Sequence, residues 1–254
     1  GVPDVGGHGV DIGVGRRRAD DLQQPRCRLT ARAVHPDLLQ AAALAVSKIG
    51  GQPLWRRVEA LPEIEGGALK AQRDMRQHKP RYLRGIFSGG SLCYEATAFL
   101  RHHLKPLHSN IPLDGVVPLH AGLDSIGHTL VDLGDDYFTQ GRVHPMIDPS
   151  PVAERMLAEG AKPDVVVILF DLVLGFGAHP DPASVLAPAI SQATQSAKQH
   201  GRNLTFVSHV CGTDEDPQNA KAQEKQLQEV GAIVAPSNLQ AVEVSCRLLV
   251  GGCS

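Results

Sequence analysis

The sequence predicts an α/β domain built on a doubly wound parallel sheet. From residue 81 onward, short apolar runs alternate with helical patterns, which is the arrangement that right-handed βαβ crossovers produce. The most apolar run, Asp164–Phe170 (DVVVILF), is typical of a central strand that is buried on both faces. Polar and glycine-rich segments follow the apolar runs, whereas plainer turns precede them.

Five apolar runs predict five strands, each followed by a helix. The strands are expected at residues 82–88, 128–133, 164–170, 203–209 and 232–235. The helices that follow are expected to end near His103, Glu159, His200, Val230 and Val250. Five such units fit a flavodoxin-like sheet of about 170 residues, within the usual size of one domain. The sequence therefore predicts a flavodoxin-like domain over residues 81–254.

Residues 1–80 show no sustained period of 2 or 3.6. One amphipathic helix is expected over Pro36–Lys48 and a weaker helix over Leu69–Gln77. Glycines between Gly6 and Gly15 do not form a dinucleotide loop, because no strand precedes them and no helix follows. We therefore expect an irregular N-terminal segment, either a linker or a truncated or partly out-of-frame remnant.

Composition excludes several classes of function. The chain has 254 residues, 25 of them basic and 27 acidic, which excludes the general electrostatic footprint of a nucleic-acid-binding protein. No apolar run approaches the roughly 20 residues that a membrane span needs. Five widely spaced cysteines without a C-x-x-C pair argue against a disulfide scaffold or a structural zinc site. We expect a soluble, cytoplasmic protein with no metal and no nucleic-acid or membrane partner.

The first strand ends in Ser88-Gly89-Gly90-Ser91, directly before a predicted helix. Glycine lets a ligand approach the backbone, and the free N–H groups of a helix start favour an anion. This pattern predicts a phosphate or substrate site. An equally open alternative is a tight turn in which Ser91 caps the helix.

The second strand is followed by the long loop GDDYFTQGRVHPMIDP. A loop of this length in a compact domain is usually functional or flexible. Arg142 is predicted to grip a carboxylate or phosphate in a fork. His144 lies in the same loop, whose acidic residues Asp135 and Asp136 more often satisfy loop backbone than hold Mg²⁺.

Asp171 ends the most apolar strand, and His179 follows eight residues later in GFGAHPDPA. An acid in such a strand is partly desolvated, so its pKa is expected to be perturbed. A histidine held near an aspartate is suited to acid, base or phosphate-binding roles. We predict catalytic roles for both residues, with a backbone-capping His179 as the alternative.

The last two strands add further candidates. The amides around Asp216, together with Gln218, are predicted to orient a ligand, and Ser237-Asn238 is predicted to be an N-cap, with a ligand contact as the alternative. Three acidic neighbours oppose a thiolate at Cys211, which argues against a cysteine nucleophile. No G-x-S-x-G, H-E-x-x-H or P-loop motif occurs, so serine hydrolases, zincins and Walker NTPases receive no support.

Taken together and in order, five of these segments resemble the FdrA family, whose members are relatives of the succinyl-CoA ligase α subunit. The segments are SGGSLCYEA, GHTLVDLGDDYFTQGRVHPMIDP, ILFDLVLGFGAHPDPA, VCGTDEDPQ and PSN. The resemblance covers about residues 81–250. It implies a succinyl-CoA-synthetase-like ligase domain, which in full-length relatives follows an N-terminal CoA-binding domain.

The resemblance also implies an activity. FdrA proteins look like subunits of a carbamoyltransferase that converts oxalurate and phosphate to oxamate and carbamoyl phosphate in purine (allantoin) breakdown. It implies an acyl or carbamoyl phosphate as ligand, partner subunits in a hetero-oligomer, and phosphate or CoA as the candidate cofactors. In this scheme Ser88–Ser91 and the amides near Asp216–Gln218 cradle phosphate, Asp171 and His179 position or protonate the reacting group, and Arg142 neutralises charge.

One departure from succinyl-CoA ligases keeps alternatives open. Their phosphorylated histidine lies in a loop after the fourth strand, where this chain reads CGTDEDPQNAKAQ, without histidine. The alternatives are an ADP-forming acyl-CoA synthetase α-like subunit and a non-catalytic assembly subunit or inactive truncated product.

Overall fold

The computed structural model describes residues 81–119 and 124–250. The helices predicted over Pro36–Lys48 and Leu69–Gln77, and the irregular character of the N-terminal segment, lie outside these residues. None of the described helices is long and apolar enough to cross a membrane.

The described part of the chain folds into one parallel sheet with helices on both faces. The strands are β1 (Tyr82–Phe87), β2 (Leu107–Ser109), β3 (Val117–Pro118), β4 (His128–Asp132), β5 (Val165–Val173), β6 (Thr205–Cys211) and β7 (Ile233–Ala235). The helices are α1 (Gly90–Leu100), α2 (Asp136–Thr139), α3 (Ser150–Gly160), α4 (Pro182–Gln199), α5 (Ala220–Glu229) and α6 (Asn238–Val250). The strand order is β3-β2-β4-β1-β5-β6-β7, so the predicted doubly wound α/β fold is confirmed.

The structure adds two short strands to the five that the sequence predicts. β2 pairs in parallel with β4, and β3 pairs with β2 at the edge of the sheet. They contain three and two residues, too few to show a period of 2. Pro118 is compatible with the outermost position, because a proline cannot donate to a further strand.

The two faces of the sheet have separate apolar cores. α1 and α6 pack on one face against residues such as Leu83 and Phe87. α3, α4 and α5 pack on the other face against Ile86, Phe170 and their neighbours. The strands β2–β4 lie on one side of β1 and β5–β7 on the other. The winding therefore reverses between β1 and β5, which is where sheets of this kind bind ligands.

A buried ionic cluster joins β1 to α3. Arg84 of β1 is 2% exposed and donates from Nε to Oε2 of Glu159 at 2.8 Å. The same carboxylate forms ion pairs with Arg155 at 2.9 Å and with Lys162 at 3.1 Å, and it accepts from the Ser125 hydroxyl at 2.6 Å. Burial alone raises the pKa of Glu159, but the hydrogen bonds from Ser125 and Arg84 and the charges of Arg155 and Arg84 outweigh it and lower the pKa.

Neutralising this carboxylate is expected to destabilise the fold. Glu159→Gln leaves the buried Arg84 guanidinium without its counter-charge, so the free energy of unfolding is expected to fall by about 3 kcal/mol. Glu154→Gln, on the exposed side of α3, is the matched control and is expected to change it by no more than about 0.5 kcal/mol. Urea denaturation of both variants measures the difference, and equal stabilities would contradict the assignment.

Candidate functional site

The carboxyl ends of β1, β4 and β5 meet around the start of α1. Phe87, the last residue of β1, pairs with Asp132 of β4. Ile86 pairs with Phe170 of β5, directly before Asp171. Asp132 and Asp171 therefore lie on either side of the turn that leads from β1 into α1, at the reversal point of the winding.

The N-terminus of α1 is open. Its N-cap residue is Gly89, in an extended conformation (φ −165°, ψ 155°), and no side chain caps the helix. A Cβ added at Gly89 would meet nothing within 4 Å, and the first turn carries no acidic residue. The alternative in which Ser91 caps the helix is therefore wrong, because Ser91 lies inside α1. The first N–H groups of a helix have no intrahelical acceptor and form the positive end of its dipole, so this end favours an anion.

Asp171 borders this helix start from β5. The side chain is 1% exposed, and the Ser88 backbone N–H donates to Oδ1 at 2.7 Å. Among the described residues, Oδ2 has no hydrogen-bond partner. Burial raises the pKa of Asp171 to about 7, with the Asp132 charge adding to the rise and the Ser88 N–H and hydroxyl opposing it. The perturbed pKa that the sequence predicts is present, and near neutral pH the carboxyl exists in both protonation states.

Asp132 borders the helix start from β4. The Asn110 side chain bonds both backbone groups of Asp132: Nδ2 donates to Asp132 O and Oδ1 accepts the Asp132 N–H, each at 2.9 Å. Gly134 N–H donates to Asp132 Oδ1 at 2.8 Å. A Cβ at Gly90 would lie 3.1 Å from Oδ2, so the carboxyl lies against the first turn of α1. Burial raises the pKa of Asp132, while the Gly134 N–H and the charge of His144 oppose the rise.

His144 reaches the same place from the loop between β4 and α3. A Cβ at Gly134 would lie 2.7 Å from His144 Nε2, 2.7 Å from Ser88 O and 3.1 Å from Asp132 Oδ1. Gly134 is therefore required for this close approach. The sequence predicts neither Asp132 nor His144 as a site residue. The one feature that marks His144 in the sequence is that it is the single histidine in a loop of unusual length.

Two predicted residues lie on the surrounding loops. Arg142 is exposed, and its backbone N–H donates to Thr139 O at 3.1 Å. His179 is half-buried, and its Nδ1 accepts the Asp181 N–H at 3.1 Å, as in the backbone-capping alternative. The structure groups neither side chain with the polar atoms at the start of α1, and their roles stay predictions.

Gln218 and Asp216 bind protein backbone. Gln218 is buried, and Nε2 donates to Gly175 O at 2.8 Å and to His179 O at 3.0 Å, while Oε1 accepts the Gly175 N–H at 3.2 Å. Asp216 Oδ2 accepts the Thr213 N–H at 2.6 Å. Both amide hydrogens of Gln218 are used to hold the loop after β5, so the residue positions this loop, and its predicted role in orienting a ligand stays a prediction.

Asn238 links α6 to α1. It is buried, and Nδ2 donates to Leu92 O at 3.0 Å and to Glu95 Oε2 at 2.7 Å. Of the pair Ser237-Asn238, in which an N-cap is predicted, Ser237 is the cap: its hydroxyl accepts the Gln240 N–H at 3.2 Å. Asn238 therefore holds the first turn of α1 in place from α6.

The protonation of Asp171 is expected to make stability depend on pH. The folded pKa of about 7 lies above the ordinary value of 3.8, so the folded state keeps a proton that the unfolded chain releases. Wild-type stability is therefore lost as the pH rises from about 4 to about 7. Relative to wild type, the free energy of unfolding of Asp171→Asn is expected to rise by up to about 4 kcal/mol between pH 4 and pH 8.

Urea denaturation across this pH range measures the difference between Asp171→Asn and wild type. Asp114→Asn, which removes an exposed carboxylate, controls for the loss of one charge. A difference between Asp171→Asn and wild type that is the same at pH 4 and pH 8 would show that Asp171 holds no proton in the folded state.

Comparison with known proteins places the chain in a family. A sequence model of the CoA-ligase family matches residues 86–248. The chain is 39% identical over 175 residues to the uncharacterized protein YahF of Escherichia coli (strain K12). The aligned part is 67% of this chain but 34% of YahF, so the chain spans about a third of the length of that relative. The match over residues 86–248 includes β2 to β7 and the last two residues of β1, and the chain belongs to the CoA-ligase family.

Proposed function

We propose that this domain binds the phosphate group of an acyl or carbamoyl phosphate at the N-terminus of α1. The observation that carries the proposal is the open helix start next to Asp171. The helix offers unpaired N–H groups and no capping side chain, and the buried Asp171 has one oxygen without a partner among the described residues.

The charges of the site are compatible with an anion because Asp171 can be neutral. With a pKa of about 7, a large fraction of Asp171 is protonated near neutral pH and has an O–H to donate. A bound anion favours this neutral form further, since like charges raise the pKa of a carboxyl. Anion binding is therefore coupled to proton uptake at Asp171.

The reaction that we propose is carbamoyl transfer in an enzyme resembling FdrA, with partner subunits. A phosphate oxygen attacks the carbamoyl carbon of oxalurate, the bond from that carbon to the oxamate nitrogen breaks, and the nitrogen takes up a proton. The products are carbamoyl phosphate and oxamate. Asp171 is better placed than His179 to supply the proton, because its carboxyl borders the start of α1 through the Ser88 N–H, whereas His179 lies on the loop after β5.

The loop after β6 supports this proposal over a phosphohistidine cycle. Residues 212–219 read GTDEDPQN, so the loop offers no imidazole for phosphorylation. Direct attack of phosphate on a carbamoyl carbon needs no phosphorylated protein group. It needs an anion site, donors that stabilise developing negative charge, and a proton source.

The second candidate is an ADP-forming acyl-CoA synthetase α-like subunit. Membership of the CoA-ligase family favours it. In that case another histidine of the chain must accept the phosphoryl group. Transfer of radiolabelled phosphate from ATP to this chain would support the synthetase and contradict the transferase.

Two variants of Gly89 test the anion site. Gly89→Asp places a carboxylate at an N-cap whose backbone is already extended and where a Cβ has room. Aspartate is a favoured N-cap, so helix stability is kept or raised by up to about 1 kcal/mol. The same carboxylate occupies the N–H groups and repels phosphate, so affinity for phosphate and carbamoyl phosphate is expected to fall by at least about tenfold.

Gly89→Ala is the matched control, because it adds a methyl group without charge or capping oxygen and is expected to keep the affinity. Calorimetric titration and thermal melting measure binding. A ligand present at 100 times its Kd is expected to stabilise wild type by about 2.7 kcal/mol. Wild-type affinity in Gly89→Asp would contradict the proposed site.

The choice of ligand separates the candidate functions. Stabilisation by phosphate or carbamoyl phosphate, without an effect of CoA, supports the transferase. Stabilisation by CoA supports the synthetase. A cooperatively melting chain that responds to none of these ligands, nor to oxamate or acetyl phosphate, supports the non-catalytic assembly subunit.

A further inference from the structure

We propose that His144 is a ligand-contacting residue of this site, donating a hydrogen bond from Nε2 to an oxygen of the bound phosphate group. The inference rests on the proposed anion site at α1 and deepens it. It concerns the long loop between β4 and α3. The proposed function places no side chain of this loop in contact with phosphate.

The position of the imidazole comes first. His144 Nε2, Ser88 O and Asp132 Oδ1 all lie within 3.1 Å of the position that a Cβ at Gly134 would take. Ser88 directly precedes the open N-cap Gly89. The Nε2 atom therefore lies at the carboxyl ends of β1 and β4, next to the helix start that offers free N–H groups.

The hydrogen bonding of the ring decides what Nε2 can do. The Met146 backbone N–H donates to His144 Nδ1 at 3.2 Å, so Nδ1 uses its lone pair. In the neutral ring the proton is then on Nε2. His144 therefore presents a donor to the site, and Nε2 in this tautomer has no free lone pair with which to attack phosphorus.

The loop holds this orientation firmly. The backbone N–H groups of Ile147 and Asp148 both donate to His144 O, at 2.8 and 3.0 Å. The His179 N–H donates to Met146 O at 2.8 Å, which ties this loop to the loop after β5. A void of about 10 Å³, lined by Pro145, Met146, Ser88 and Asp171 among others, separates the loop from the buried carboxyl.

The donor complements the other groups of the site. Asp171 contributes its Oδ2, which is unpartnered in the described residues, and the α1 N-terminus contributes backbone N–H groups. A phosphate group has three oxygens to satisfy, and hydrogen bonds to an ionised group are roughly twice as strong as neutral ones. His144 supplies a further side-chain donor next to this helix start.

Two substitutions separate the donor role of Nε2 from the structural role of Nδ1. Glutamine places its amide nitrogen near the position of Nε2, so His144→Gln keeps a donor toward the ligand. Asparagine places its amide near the position of Nδ1, so His144→Asn keeps an acceptor for the Met146 N–H and loses the donor. We expect the Kd for inorganic phosphate to stay within about threefold of wild type in His144→Gln and to rise about tenfold or more in His144→Asn.

Calorimetric titration of the full chain with inorganic phosphate measures these affinities, and melting temperatures verify that both variants fold. Wild-type affinity in His144→Asn, or equal weakening in both variants, would overturn the inference. A two-bond ¹H–¹⁵N spectrum of wild type provides a readout without ligand: protonated Nε2 supports the inference, and protonated Nδ1 overturns it.

Failure of this inference is distinguishable from failure of the proposed function. If wild type binds phosphate and Gly89→Asp loses it while His144→Asn keeps it, only the role of His144 is wrong. If wild type does not bind phosphate, the anion site itself is wrong and the role of His144 with it.

Discussion

The hydrogen bond from the Ser88 backbone to Asp171 is the interaction on which the candidate site depends. It joins β1 to β5 at the point where the winding of the sheet reverses. Because the N-cap residue Gly89 has no side chain, the start of α1 is left without a side-chain cap. The same bond uses one oxygen of Asp171 and leaves the other buried without a partner among the described residues. An unsatisfied buried polar atom is costly, and a ligand at the helix start would relieve that cost.

Two buried amides hold the surroundings of this bond in place. Gln218 fixes the loop after β5 through three hydrogen bonds to its backbone. Asn238 fixes α6 against the first turn of α1. Each amide is far in sequence from the segment that it holds. The two segments border the site. Neither amide needs to contact the ligand to matter for its position, since a site that binds a small anion needs its donors held rigidly.

The sequence was informative where local pattern decides structure. Five of the strands follow from apolar runs, and the position of Asp171 follows from one acid in a very apolar strand. β2 and β3 were not predicted, because their sequences, LHS and VP, form no apolar run of the kind that marks the other strands. The rule that ligands bind at the carboxyl ends of parallel strands selects the correct edge. It does not tell whether a polar atom there faces a ligand or the backbone, and the backbone hydrogen bonds of Gln218 are known only from the structure.

Asp132 and His144 are the opposite case, because they lie at the start of α1 although the sequence does not predict them as site residues. Asp132 has the appearance of an ordinary acid at a strand end, and only its pairing with Phe87 brings it to the start of α1. The approach of His144 to Gly134 depends on the path of residues 134–144, which no local rule determines. The FdrA-like segments contain both residues, yet the resemblance alone assigns them no role.

The coupling of anion binding to proton uptake at Asp171 is tested most directly by calorimetry with sulfate. Sulfate is a stable dianion that does not titrate near pH 7, so protons exchanged on binding come from the protein. Titrations at pH 7 in buffers of different ionisation enthalpy give the number of protons taken up. We expect wild type to take up a fraction of a proton and Asp171→Asn to bind sulfate with none. Binding without proton uptake in wild type, or the same uptake in Asp171→Asn, would contradict the coupling.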